Sequence, residues 1–151
     1  MKSTLGIYAG SFLPFHVGHM DIVNQAKEIF NELLIAQCIN PEKMDIVKSE
    51  YSLPSEIFSK YPNIKTSLHN SLLIDLIKDK EYTHNVTLIR GLRNGTDLDY
   101  EQNFVAFLKG MHPTAKIVAF YCDPKHRHIS SGALRSLRKF SETEYKKYIF
   151  S

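Results

Sequence analysis

Cysteine is scarce in this 151-residue chain: Cys38 and Cys122 are the only two, and neither belongs to a Cys-x-x-Cys pair. A disulfide framework or thiolate zinc site is a poor reading, and two reduced thiols within or beside apolar strand-like runs fit a cytoplasmic protein. Charge of one sign is scarce too, since 19 lysines and arginines against 16 acids leave +3 with histidine neutral. That excess is too small for a nucleic-acid footprint, although local basic clusters can still meet a small phosphorylated molecule. No uncharged apolar run is long enough to span a bilayer, so no membrane insertion is expected. Met1-Lys2-Ser3-Thr4 leads straight into a strand pattern, without the apolar stretch and cleavage site of a secretory leader. Internal repeats and low-complexity segments are lacking. The length suits one domain, 1–151, with an ordinary core.

What is present is alternation. Leu5 to Ala9 is a short apolar run, and Ile22, Val23, Ala26, Ile29, Phe30 and Leu33 then recur at helical spacing, predicting an amphipathic helix from about Gly18 to Asn31. Leu33 to Ile39 reads as a buried strand that stops at Asn40-Pro41. Glu42 to Pro62, with scattered charges and two prolines, predicts loop and a weak helix. Ile64 to Leu68 reads as a strand, Leu72, Leu73, Leu76 and Ile77 as a helical face, and Val86 to Ile89 as a clear buried strand. Asp97 is expected to cap the next helix, whose apolar face is Leu98, Phe104, Val105, Leu108 and Met111. Lys116 to Tyr121 reads as the last strand, and Ile129-Ser130-Ser131 opens a helix carrying Leu134, Leu137 and Phe140. Strands alternating with helices predict an α/β fold, a Rossmann-like open parallel sheet with helices on both faces.

The most informative segment is Gly10-Ser11-Phe12-Leu13-Pro14-Phe15-His16-Val17-Gly18-His19. A strand that breaks into a Gly-Ser turn, carries two histidines and opens a helix is suited to phosphate, because helix N–H groups and imidazoles converge there. In open parallel sheets ligands lie beyond the carboxyl ends of the strands. Ser11, His16 and His19 follow the first strand, Lys43 the second, and Arg90 with Arg93 the Val86 strand. Ser130 and Ser131 start a helix beyond the last strand, with Arg135 one turn in. Several loops thus deliver cationic or N–H donors to one edge, as polyphosphate binding requires. Each part also has a plainer reading: surface ion pairs of the arginines with Asp97, Asp99 or Glu101, an N-cap at Ser130-Ser131, and an exposed lysine at Lys43. His126-x-His128 has no carboxylate or thiol cluster beside it and is a poor metal site.

Together, the His16-Val17-Gly18-His19 turn, the segment Ile129 to Arg135 and the length resemble nucleotidyltransferases that pass a nucleoside monophosphate to a phosphorylated acceptor. Thr87-Leu88-Ile89-Arg90-Gly91-Leu92-Arg93, followed by Asp97-Leu98-Asp99-Tyr100-Glu101, is similar to the phosphopantetheine adenylyltransferase family, as are Gly10-Ser11-Phe12, Gly18 to Val23 and Asn40 to Lys43. The resemblance implies adenylyl transfer from ATP to 4'-phosphopantetheine in coenzyme A biosynthesis, with Mg²⁺ and without a covalent enzyme intermediate. It implies catalytic roles for His19, Lys43 and Arg93, and an ATP site of Ser11, Phe12, His16, His19, Arg93, Glu101, Ser130, Ser131 and Arg135. Ser11, Lys43, Leu72, Leu73 and Arg90 would bind the acceptor, and no residues are assigned to a metal. It also implies a homo-oligomer, a hexamer, in the cytoplasm. Leu13, His16, Leu108 and Gly132 depart from the family's pattern. His16 and Leu108 leave another phosphorylated acceptor, such as nicotinamide mononucleotide, open, and a non-catalytic nucleotide-binding regulator is the third reading.

Overall fold

Alternate side chains on each strand serve opposite faces of one sheet, and this explains the layering. The computed structural model describes residues 1–150. Strands β1 (Ser3–Gly10), β2 (Glu32–Cys38), β3 (Ile64–His69), β4 (His84–Leu92) and β5 (Ile117–Tyr121) pair in parallel in the order β3-β2-β1-β4-β5. Between and after them lie helices α1 (Val17–Ala26), α2 (Met44–Glu50), α3 (Ser55–Phe58), α4 (Leu73–Glu81), α5 (Gly95–Met111), α6 (Ser131–Phe140) and α7 (Glu142–Lys146). Tyr8, Ile35 and Ile89 pack on one face with Ile22 and Val23 of α1. Ile7, Ala36 and Leu88 pack on the other with Ile74 and Ile77 of α4 and Leu108 of α5. Coverage of both faces is why the central strands read as unbroken apolar runs. Ile7, Ile35 and Ile89 are 0% exposed, and each such burial is worth about 1.5–3 kcal/mol. Gly6 is required where the layers approach closely, because a Cβ there would stand 2.5 Å from Ile89 Cδ1.

The sheet follows the sequence reading, and several helix details differ from it. The helix expected over Gly18 to Asn31 ends at Ala26. Asn31 is instead claimed by β1: its Oδ1 accepts from the Thr4 backbone N–H at 3.1 Å, and its own N–H donates to Thr4 Oγ1 at 2.9 Å. Ile29, beyond the last turn, is exposed. The indistinct stretch Glu42 to Pro62 forms part of a 3₁₀ turn at Pro41–Lys43 and two short helices, α2 and α3. Asn94, not Asp97, caps α5, its side chain accepting from Asp97 N–H at 2.9 Å. The apolar face expected on α5 is largely unburied: only Leu108 is buried, while Leu98 and Met111 are exposed.

Strand order reverses between β1 and β4, and the loops that open there lead into α1 and α5. A crevice at the carboxyl edge results. The chain's last described turn packs against the start of α1. Val17 N–H donates to Tyr148 O at 3.0 Å, and His16 bridges to Ile149.

Candidate active site

The turn after β1 fixes two imidazoles by backbone hydrogen bonds. His16 is the N-cap of α1, and its Nδ1 accepts from Gly18 N–H at 3.1 Å. Nδ1 of His19, three residues on, accepts from the His16 backbone N–H at 3.1 Å. This reciprocal arrangement is a capping box with histidine in both roles. With both Nδ1 atoms accepting, the ring proton of each neutral imidazole resides on Nε2. The rings stack at 3.7 Å between centroids. Burial, with Arg93 and His126 nearby, lowers the His16 pKa to about 4, and burial with the His16 and Arg93 neighbours holds His19 well below the ordinary value. Both rings are therefore neutral donors at pH 7. Gly18 is required here: a Cβ would sit 2.9 Å from His16 Cε1.

Phe12 organises the same turn. Its backbone has φ 49°, in the left-handed region, a conformation that costs a non-glycine residue roughly 1–2 kcal/mol. Ring burial offsets that cost. Phe12 is 3% exposed and packs edge-on to Tyr8, Phe15 and His19 at centroid distances of 5.2, 5.3 and 4.9 Å.

The turn after β4 supplies charge, already matched. Arg90 donates from Nε and Nη2 to the two carboxylate oxygens of Glu101 at 2.7 and 2.8 Å, and from Nη1 to Ala9 O at 2.9 Å. Its guanidinium also lies 4.4 Å from the Phe104 ring centroid. Arg93 makes the same kind of fork with Asp97, Nε at 2.9 Å and Nη2 at 3.0 Å, while Nη1 reaches Ile129 O at 3.1 Å. Burial raises the Asp97 pKa, but the Arg93 side-chain and backbone hydrogen bonds outweigh it and hold the carboxyl below its ordinary value. The plainer reading of the two arginines, as ion-pair partners, thus describes their contacts in the structure.

Helix α6 ties the two turns together. Ser130 caps it, accepting from Ala133 N–H at 3.1 Å. Ser131 Oγ donates to Pro14 O at 2.9 Å, and Arg135 Nη1 to Leu13 O at 2.7 Å. Arg135 has no carboxylate partner among the described residues.

Most of the residues singled out in the sequence meet around one cavity of about 630 Å³. Ser11, Phe12, His16 and His19 come from the first turn and the start of α1, Arg90 from β4, Arg93 from the turn after it, Glu101 from α5, Ser130, Ser131 and Arg135 from α6 and its cap, and Leu73 from α4. Two stand apart. Leu72 lines a neighbouring depression of about 590 Å³ with Asn40 and Pro41, and Lys43, exposed at the end of the 3₁₀ turn, lines neither. Leu108, one of the departures from the family's pattern, is 2% exposed in the core and is not part of the lining. Sequence reasoning missed Tyr8, Phe104 and both cysteines, Cys38 and Cys122, all of which line the cavity, as does Asp97, which the sequence offers as a cap or an ion-pair partner. For Tyr8 the signal was strand alternation, which places it two residues before Gly10 on the same face.

A family model described as cytidylyltransferase-like matches residues 7–136. A phosphopantetheine adenylyltransferase of Streptococcus uberis is 35% identical over 95% of this chain and 86% of its own length. One from Streptococcus pyogenes is 34% identical over 95% and 88%. Among solved structures, a putative nicotinate-nucleotide adenylyltransferase from Vibrio parahaemolyticus superposes with a TM-score of 0.58 at 15% identity, covering 93% of this chain and 83% of the other. That likeness speaks to the fold.

Proposed function

The chain belongs to the cytidylyltransferase-like family and is a nucleotidyltransferase of the phosphopantetheine adenylyltransferase type, and from that premise we propose how its cavity carries adenylyl transfer from ATP to 4'-phosphopantetheine. The products are dephospho-coenzyme A and pyrophosphate. The observation that carries the reading is the meeting of two tautomer-fixed neutral imidazoles and two arginine forks around one cavity at the sheet's switch point.

A phosphate monoester is already an anionic nucleophile near neutral pH, so positioning and charge neutralisation are the main needs. An acceptor phosphate oxygen bonds to the α-phosphorus of ATP as the bond from that phosphorus to the bridging oxygen breaks, and pyrophosphate leaves. His19 Nε2–H donates to the α-phosphate; a neutral donor stabilises charge there without giving up its proton. Arg93, Arg135 and the N-terminus of α6 take the triphosphate, and Arg90 takes the acceptor phosphate with Lys43. Each fork commits three of a guanidinium's five N–H donors to the protein and leaves two to meet a phosphate. Glu101, held by Arg90, keeps lone pairs that can accept from the ribose. Leu73 and Leu72 carry the pantetheine arm from the cavity towards the neighbouring depression.

Mg²⁺ fits as an ion carried by the triphosphate. The cavity's carboxylates, Asp97 and Glu101, are each committed to an arginine, and among the described residues no group of three His, Cys, Asp or Glu gathers to cage a cation. Mg²⁺ commonly binds through substrate phosphates and water in this way, and supplies charge neutralisation on the leaving pyrophosphate.

The two residues that left other acceptors open have packing explanations, His16 as a helix cap and Leu108 as core. The proposal also takes in a cytoplasmic location and a homo-oligomer, a hexamer by family resemblance. The exposed Leu98, Phe107 and Met111 on α5 support an assembly, and light scattering measures it. No helix among the described residues is long and apolar enough to cross a membrane. Pyrophosphate release with ATP, Mg²⁺ and a panel of acceptors tests the function: a clear preference for 4'-phosphopantetheine is expected. Preference for nicotinamide mononucleotide would replace the acceptor, and no release with any acceptor would favour the regulator.

A further inference from the structure

The cavity floor holds one buried polar side chain that this mechanism does not use. Tyr8 is 6% exposed, and its ring is wedged edge-on against Phe12 at 5.2 Å. Parallel pairing of Tyr8 with Ile89 puts it on the same sheet face as Gly91, two residues further along β4. The Tyr8 hydroxyl would lie 3.8 Å from a Cβ at Gly91, an ordinary contact that places the oxygen beside the end of β4. No group among the described residues hydrogen-bonds the hydroxyl, and Tyr8 lines the cavity. Its oxygen is not sealed from solvent, so a ligand atom entering the cavity can take the hydrogen bond that water otherwise holds. Its surroundings mark where that ligand atom lies. The His19 ring is 6.2 Å away between centroids, and the phenol feels the charges of both Arg90 and Arg93. The arginine assigned to the acceptor phosphate and the arginine assigned to the triphosphate thus both act on the phenol.

We propose that Tyr8 is a substrate-contacting residue of the transfer site, its hydroxyl donating a hydrogen bond to the α-phosphate at which the adenylyl group changes hands. The inference rests on the adenylyl-transfer reading and adds a second neutral donor to it, on β1, across from His19 on α1. Burial pushes the phenol well above its ordinary pKa, so it remains a donor throughout the physiological range.

Tyr8→Phe keeps the ring and its packing and removes only the oxygen. Two measurements on the full chain test it. In steady-state assays kcat should fall about 10- to 100-fold, with KM for ATP within threefold and the melting temperature nearly unchanged. In NMR, the ¹³Cζ resonance of Tyr8, assigned by its loss in Tyr8→Phe, should move on adding AMP and stay put with pyrophosphate alone. A kcat within twofold of wild type overturns the proposal, as does a resonance that AMP leaves in place. If the wild-type chain releases no pyrophosphate with any acceptor but AMP still moves the resonance, adenylyl transfer falls while the Tyr8 contact stands. If the wild type is active and Tyr8→Phe is equally so, the reverse holds.

Discussion

The β1–α1 wall of the cavity presents neutral imidazoles held by the helix's own backbone, whereas the β4–α5 wall presents two full charges, each already forked to a carboxylate. The first wall is assembled before any ligand arrives. Its hydrogen bonds run over two and three residues, and nothing in them must break for Nε2–H to face the cavity. The second wall holds its charges in forks that leave two N–H donors of each guanidinium for a phosphate. Both carboxylates come from the first two turns of α5, so phosphate binding at either arginine bears on the same helix. Neutral donors in one wall and paired charges in the other divide the labour between the chemical step and the binding steps.

The largest effect should come from the preorganised wall. His19→Ala is expected to lower kcat by about 10²- to 10³-fold while ATP affinity changes far less; steady-state kinetics beside calorimetry measure the two, and normal turnover would erase the contrast between the walls. Acid should strike the same wall. The folded pKa of His16 is lowered to about 4 from an ordinary 6.5, so between those values the unfolded chain binds more protons and folding loses stability as pH falls. The sign is clear: the contribution is complete above about 6.5 and shrinks towards pH 4, by up to about 3 kcal/mol. His16→Asn keeps an N-capping side chain and should flatten that part of a melting-temperature profile. An unchanged slope would show that His16 is not the group responsible.

The charged wall should respond through affinity. Arg90→Ala is expected to weaken the acceptor and Arg93→Ala to weaken ATP, each by about 1.5–3 kcal/mol, in calorimetric titrations. Equal loss of both ligands in both variants would merge the two roles into one. Arg90→Ala should also lower the melting temperature more than Arg93→Ala, because its side chain and Glu101 are 17% and 13% exposed against 33% and 20% for Arg93 and Asp97. The smallest effect is steric. Gly18→Ala forces the His16 ring off its cap, at about 1–2 kcal/mol of stability, and thermal unfolding that matches wild type would mean the ring relaxes at no cost.

The two walls also differed in how legibly the sequence carried them. His16 and His19 lie in one continuous stretch with Gly18 between them, so spacing alone located the turn and the helix it opens. Strands were legible because burial on both faces makes them continuous apolar runs. The end of α1 was not, because Asn31 is drawn to Thr4, and no local pattern records a bond across 27 residues. Nor could periodicity reveal that α5 leaves most of its apolar face unburied, since a helix's apolar stripe does not say whether a sheet lies beneath all of it. Asp97 follows an arginine by four residues and was read as a cap. The actual cap, Asn94, releases it to grip Arg93.

By itself, then, the amino-acid sequence determined the order of strands and helices, the histidine turn and the set of cations that could meet a phosphate, because each is written in local spacing. Only the tertiary structure decided which of those groups are free. Packing of α5 beside β4 gave Arg90 its carboxylate, the Asn94 cap left Asp97 for Arg93, burial made the two imidazoles neutral, and parallel pairing of β1 with β4 set the Tyr8 phenol in the cavity wall. Burial above all depends on contacts between residues distant in the chain, and such contacts exist only once the chain has folded.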